Sequence, residues 1–197
     1  MMLGFLSTEN VADRSNRLLA GEQWRMLLAT GAVGVLAGLF MAHVRLHLGL
    51  PGHKALFWMI PVIAARLAFR SPAGATIGAL AASFTTLGIG GHLAGGLAHL
   101  PLVGLAGIML DVTIGLAERR ALAVGWMIPL LGCAGLLANL VCFLKRVFPP
   151  SSFKLHVFWG YSGPWGSLVS YAFFGLLAGL IGATLGCILL RRKRTRA

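Results

Sequence analysis

The chain has 197 residues, of which 57% are hydrophobic and only 11% charged, and its mean hydropathy is +0.83. A soluble domain carries about 25% charged residues, so 17 basic and 5 acidic side chains cannot dress the surface of one this size. That excludes a soluble enzyme, a secreted disulfide scaffold and a disordered tail, and it leaves lipid as the solvent for most of the chain. The net charge of +12 then reads as basic membrane-flanking segments beside anionic lipid, not as a nucleic-acid surface. Cys133, Cys142 and Cys187 lie in apolar runs with no CxxC spacing and are expected to be small packing residues.

Residues 1–23 carry Glu9, Asp13, Arg14, Arg17 and Glu22 and read as a polar tail or interfacial helix on the cytoplasmic side, not as a signal peptide. A bilayer core of about 30 Å requires roughly 20 apolar residues per helix. With that ruler residues 24–190 divide into six spans: Trp24–His47, His53–Phe69, Pro72–Gly90, Leu97–Leu116, Ala121–Leu144 and Trp165–Leu190. The second and third are short and closely joined. Pro51, Pro72, Pro149, Pro150 and Pro164 fall at junctions, whereas Pro61, Pro101 and Pro129 fall inside spans and predict kinks. Residues 191–197 form a basic tail. The expected fold is an all-α, six-helix transmembrane bundle.

Orientation follows from the basic residues. With both termini cytoplasmic, Arg14, Arg17, Arg25, Arg66, Arg70, Arg119, Arg120, Arg191, Arg192, Lys193, Arg194 and Arg196 lie inside. Only Arg45, Lys54, Lys145, Arg146 and Lys154 remain outside. The expected location is the inner (plasma) membrane, crossed several times. Trp24 and Trp126 then sit at the inner interface, and Trp58, Trp159 and Trp165 at the outer one.

Three features carry possible chemistry. Thr30, Gly34, Gly38 and Ala42 are four residues apart and form one small-residue stripe on the first helix. The stripe fits either packing within the chain or docking onto a separate membrane subunit. His43, His47, His53, His92, His99 and His156 all fall in the outer half, among Arg45, Lys54, Lys145, Arg146, Lys154, Trp159 and Tyr161. Such a cluster suits an anionic or aromatic small molecule, and equally suits histidines that anchor helix ends. A metal is not expected, because no acid or cysteine joins the cluster, and a haem pair from His43 and His99 would sit too near the edge. Asp111 is the one acid deep in a span, where it either pairs with Arg66 or Arg70 or serves as a proton relay.

No nucleotide-binding G-x-x-x-x-G-K-[ST] loop, H-E-x-x-H or G-x-S-x-G motif occurs, so neither an enzyme nor a cofactor is expected. Uphill movement of a substrate would draw on a partner or an ion gradient. The halves share no repeat, which weighs against an inverted-repeat carrier.

The stretch Leu100–Asp111 (LPLVGLAGIMLD) is similar to the fourth helix of the substrate-binding (S) components of energy-coupling factor (ECF) transporters. Leu50–Met59 (LPGHKALFWM) and Arg70–Thr76 (RSPAGAT) also resemble S-component sequences. The resemblance implies capture of a vitamin-like or anionic small molecule from outside, followed by docking on a transmembrane coupling subunit driven by two ATPases. It implies docking through a first-helix face, here Thr30, Gly34, Gly38 and Ala42. The chain begins Met-Met-Leu-Gly, not with the Met-His segment of the metal-importing branch, so cobalt or nickel uptake is not expected. The residues expected to contact substrate are Arg45, His47, His53, Lys54, Asn139, Lys145 and Trp159. Asn139 is included because an amide inside a bundle needs a hydrogen-bond partner that a ligand can supply. The alternatives are a structural subunit of a larger membrane complex, or a proton-coupled carrier working through Asp111.

Overall fold

A computed structural model describes residues 6–44, 50–90, 96–147 and 163–194. Among the described residues every regular element is helical, with no strand. The helices are α1 (Leu6–His43), α2 (Ala55–Phe69), α3 (Gly74–Gly88), α4 (Leu100–Arg119), α5 (Val124–Val147) and α6 (Gly163–Arg194), with a short 3₁₀ turn, Gly96–His99, ahead of α4. Four are long and apolar enough to cross a membrane: α1 over Gly21–His43, α4, α5 over Val124–Lys145, and α6 over Gly163–Arg192.

The expected second and third spans correspond to α2 and α3, which are apolar but only 15 residues each. At 1.5 Å per residue each is about 22 Å long, short of the bilayer core. Local chemistry limits them. Pro51 and Gly52 form the turn that leads into α2, and Arg70 closes it in the left-handed region (φ 53°) just before Ser71-Pro72 turns the chain into α3. Pro61 and Pro129 do lie inside helices, but Pro101 falls in the first turn of α4, where no helical hydrogen bond is lost, so no kink is needed there.

The helices close into a ring in which α1 packs on α3, α3 on α4, α4 on α5, α5 on α6, α6 on α2 and α2 on α1. α2 also reaches across to α3 and α4, and ten of its fifteen residues are buried, so it is the central helix. Met59, Val62, Ile63 and Leu67 of α2 meet Leu110 and Ile114 of α4 and Leu131 of α5 in the core. Trp58 is buried there too, a correction to its expected place at a membrane interface. Trp126 and Trp165 are exposed in the first turns of α5 and α6, and Trp24 is exposed in the middle of α1, where its apolar stretch begins. Leu36, Val112, Leu137, Val169 and Phe173 point outward, as lipid-facing side chains would.

Glycines set how closely the helices approach. A Cβ on Gly34 would strike the Gly78 backbone, and one on Gly38 would strike Ala82. Thr30 and Gly38 are buried on this seam, and Thr86 of α3 donates to the Gly38 carbonyl at 3.2 Å. The Thr30–Gly34–Gly38 stripe is therefore an internal α1–α3 contact with Ala42 half-buried beyond it, which corrects the expectation of a free docking face. A second seam joins α5 to α6 through Gly135, Gly175 and Gly179. Gly52 (φ 86°) is required twice over, because its left-handed backbone also lies against Tyr171.

Replacing Gly34 with Leu forces α1 off α3, with an expected loss of about 3 kcal/mol or more, seen as a lower melting temperature in detergent. Gly115→Ala, which has open space around its Cβ, should be neutral or stabilising by up to about 1 kcal/mol.

Candidate functional site

Two polar clusters interrupt the apolar bundle, one toward each end. The first is built on Asp111, on the inward face of α4. One turn earlier, Gly107 lacks the side chain that would strike the Thr76 Cα, so the start of α3 comes right up to α4. The first turn of any helix leaves backbone N–H groups without partners, and α3 has no side-chain cap of its own. Asp111 supplies one from α4. Its Oδ1 accepts from the Ala75 N–H at 3.0 Å, and its Oδ2 from the Thr76 N–H at 2.8 Å and the Thr76 hydroxyl at 2.7 Å. The fourth donor is Arg66 Nε of α2, at 3.0 Å from Oδ1. Each oxygen thus accepts two hydrogen bonds, which accounts for a carboxylate in an apolar interior.

Arg66 is 2% exposed and spends the rest of its guanidinium on Glu118, two turns further along α4, with nitrogens at 3.4 and 3.2 Å from the two carboxylate oxygens. Of the two arginines the sequence offers Asp111, the structure selects Arg66, while Arg70 is exposed. A carboxylate holding four donors, one of them an arginine, is arranged as a structural brace joining α2, α3 and α4.

The second cluster lies at the opposite end of α2 and α4. Lys54 precedes α2, His99 precedes α4, and Lys145 is in the last turns of α5. His99 is 4% exposed, and its Nε2 lies 3.4 Å from Lys145 Nζ. Lys145 also stands 5.9 Å from the Tyr171 ring centre, a cation–π arrangement. Burial, and then the positive charges of Lys145 and Lys54, push the His99 imidazole down to about 3. Burial and Lys145 likewise lower Lys54. Both lysines make further interactions. The acids of the chain are Glu9, Asp13, Glu22, Asp111 and Glu118, so none occurs in the sequence between Glu22 and Asp111 or after Glu118.

Of the residues expected to bind substrate, Lys54 and Lys145 come together here. Arg45, His47 and Trp159 lie outside the described residues. Asn139 is satisfied within the chain, which corrects its expected need for a ligand: its Nδ2 donates to the Tyr171 carbonyl at 2.8 Å and reaches the Gly52 carbonyl at 3.5 Å. His53 is engaged locally, with Nδ1 at 2.5 Å from the Leu50 carbonyl and its ring edge-on to Phe57 and Phe174. Tyr171 was not among the expected contacts, and nothing in its apolar helix signals it. His99 was visible as an outer histidine but not as a site residue. Among the described residues no three His, Cys, Asp or Glu side chains converge as a metal site. No protein-family model matches the chain, nor does any curated protein or solved structure.

Two outcomes follow. Asp111→Asn removes the charge facing buried Arg66, with an expected loss of about 3–5 kcal/mol, and the double variant Arg66→Met/Asp111→Asn should recover part of it. The measurement is a double-mutant cycle of unfolding in detergent. At the other end, the unfolded chain protonates His99 near its ordinary value of about 6.5, whereas the folded chain resists. Stability from this group is therefore complete above about pH 6.5 and falls as the pH drops toward about 3. Melting curves should shift downward from about pH 7 to about pH 4, and His99→Phe should flatten part of that decline.

Proposed function

We propose that this chain is a multi-pass protein of the inner membrane that captures a small anionic molecule at its Lys54–His99–Lys145 end. The observation that carries the reading is the convergence of these three basic side chains, from three separate segments, at the end of the bundle where the sequence has no carboxylate. Gathering like charges in a half-buried place costs energy, and an arriving anion would recover it.

In this reading both termini are cytoplasmic, α2 and α3 complete a six-helix transmembrane core, and the basic cluster opens to the outside. The distribution of Arg and Lys supports that orientation. With no nucleotide-binding loop in the chain, release inward is driven by partners. The resemblance to S components supplies their kind: a transmembrane coupling subunit and its ATPases. That subunit docks on a face other than Thr30–Gly34–Gly38, which α3 occupies. A carrier that moves protons through Asp111 fits less well, because all four donors around that carboxylate hold it in place.

The test is a melting-temperature screen of the purified full chain against water-soluble vitamins and other small organic acids, without ATP. At least one compound should stabilise the wild type saturably, by the amount mass action requires for micromolar affinity, and should lose most of its effect on Lys145→Gln. A chain that no compound stabilises, and that survives purification only in a fixed complex with other subunits, would instead be a structural subunit.

A further inference from the structure

We infer that the braced end of the bundle carries a contact for anionic phospholipid, in which Arg119 and Arg120 hold the headgroup phosphate beside Trp126, with Arg25 and Trp24 as a second contact. Such a contact requires only that the exposed apolar faces lie in lipid, and it is independent of what the Lys54–His99–Lys145 end captures. In the orientation proposed above, the leaflet concerned is the cytoplasmic one.

Helix directions place these residues at one end. α1 runs parallel to α3, since Gly34 meets Gly78 and Gly38 meets Ala82. α3 runs antiparallel to α4, since Gly107 meets Thr76 and Gly104 meets Leu80. The start of the apolar stretch of α1, the end of α4 and the start of α5 therefore share the end that holds Arg66 and Glu118. Between Gly21 and Arg192 this half has seven arginines against three acids, and two of those acids, Asp111 and Glu118, are taken by Arg66. The end carries a positive excess, and Arg25, Arg119 and Arg120 are exposed.

Where the arginines stand on their helices decides the partner. Residues three or four apart share a helix face. Leu116 precedes Arg119 and Arg120 by three and four residues, and it ends the exposed row Ile108, Val112 and Leu116. Arg25 stands three residues before Leu28, which opens the exposed row Leu28, Val35 and Leu39. Trp126 opens another exposed row through Leu130 and Leu137. These rows are the outward faces that lipid chains would cover. The guanidiniums thus stand on the perimeter, where apolar surface gives way to charge, with the exposed Trp24 and Trp126 beside them as at a membrane interface.

An acidic protein docking from water would instead meet the middle of this end, where Arg70 closes the central helix. One turn before Arg70 stand Arg66 and Leu67, both buried, so that helix face looks inward. Perimeter arginines match a phosphodiester whose chains run along Leu116 and Leu130. The planar guanidinium suits phosphate oxygens, and its stem can lie along apolar surface. α6 ends in the same way, with exposed Ile188 ahead of Arg191 and Arg192. Those two make other interactions, so the contact is assigned to Arg25, Arg119 and Arg120.

The experiment uses the full chain, purified in neutral detergent and stripped of lipid. It is titrated with short-chain phosphatidylglycerol, short-chain phosphatidylcholine, or sodium phosphate at matched ionic strength. Melting temperature is read throughout, and retained lipid is counted by native mass spectrometry. The expected result is saturable stabilisation by phosphatidylglycerol that the other two do not reproduce and that added salt weakens. Arg119→Gln/Arg120→Gln should weaken it about twentyfold and Arg25→Gln about fivefold. Arg70→Gln removes the same unit of charge from the middle of the same end and should stay within about twofold of wild type.

If phosphatidylcholine matches phosphatidylglycerol, or Arg70→Gln weakens binding as much as Arg25→Gln, no built contact exists and the inference falls. An equal response to free phosphate would overturn it too, making the ligand a soluble oxyanion. A chain that ignores lipid, and whose double variant sheds a co-purified subunit, would assign these arginines to a protein interface. Should the double variant not fold, Arg25→Gln against Arg70→Gln decides. The compound screen at the other end is read separately, so either result can fail while the other stands.

Discussion

Asp111 is a carboxylate in an apolar bundle, and it is tolerable there only because each oxygen accepts two hydrogen bonds. Its donors come from α2 and α3, so the group that must be satisfied also fixes three helices against one another. The consequence reaches the far end of the molecule. Lys54 stands twelve residues before Arg66, and His99 stands twelve residues before Asp111. Because α2 and α4 run in the same direction, locking Arg66 to Asp111 brings the starts of both helices to a common level, about 18 Å away at 1.5 Å per residue. The basic cluster is thus held in register from a distance by the brace.

The remaining cohesion is of another kind. In lipid, helices gain little from hiding apolar surface and much from close backbone contact. The α1–α3 seam at Gly34, Gly38, Gly78 and Ala82 and the α5–α6 seam at Gly135, Gly175 and Gly179 supply that contact. Asn139 spans the second seam and hydrogen-bonds the Tyr171 carbonyl, and Gly175 makes room for its Cβ. Polar groups at both ends and glycine seams between them make one continuous framework.

How much of this was legible in the sequence depends on the range of the signal. Helix positions follow from apolar runs and punctuating prolines, and the bounds of α4 and α5 lie within a few residues of expectation. α2 and α3 were recognised as segments, but their 15-residue lengths depend on turn geometry, such as the left-handed Arg70, that composition does not display. Asp111 was conspicuous as a lone acid, and its arginine was one of two nearby choices. That it caps α3 was invisible, because capping from another helix leaves no local motif. The small-residue stripe was legible as an interface but not as to which partner filled it. Among the described histidines, His99 differs from His43 and His53 by its neighbours in space, which the sequence does not display, and Asn139 needed a partner that a backbone carbonyl, not a ligand, provides.

The separation between Arg66 and its carboxylate also bears on biogenesis. The two are 45 residues apart in the chain, and Arg66 is made first. At roughly 5–20 residues per second, its counter-charge is not yet synthesised for about 2–9 seconds. During that interval the guanidinium at the end of α2 lacks both Asp111 and Glu118, and the first turn of α3 lacks its cap. The early hairpin of α2 and α3 is therefore a poor candidate for independent stability. Its packing is completed only once α4 has been made, so that the three helices settle as one unit.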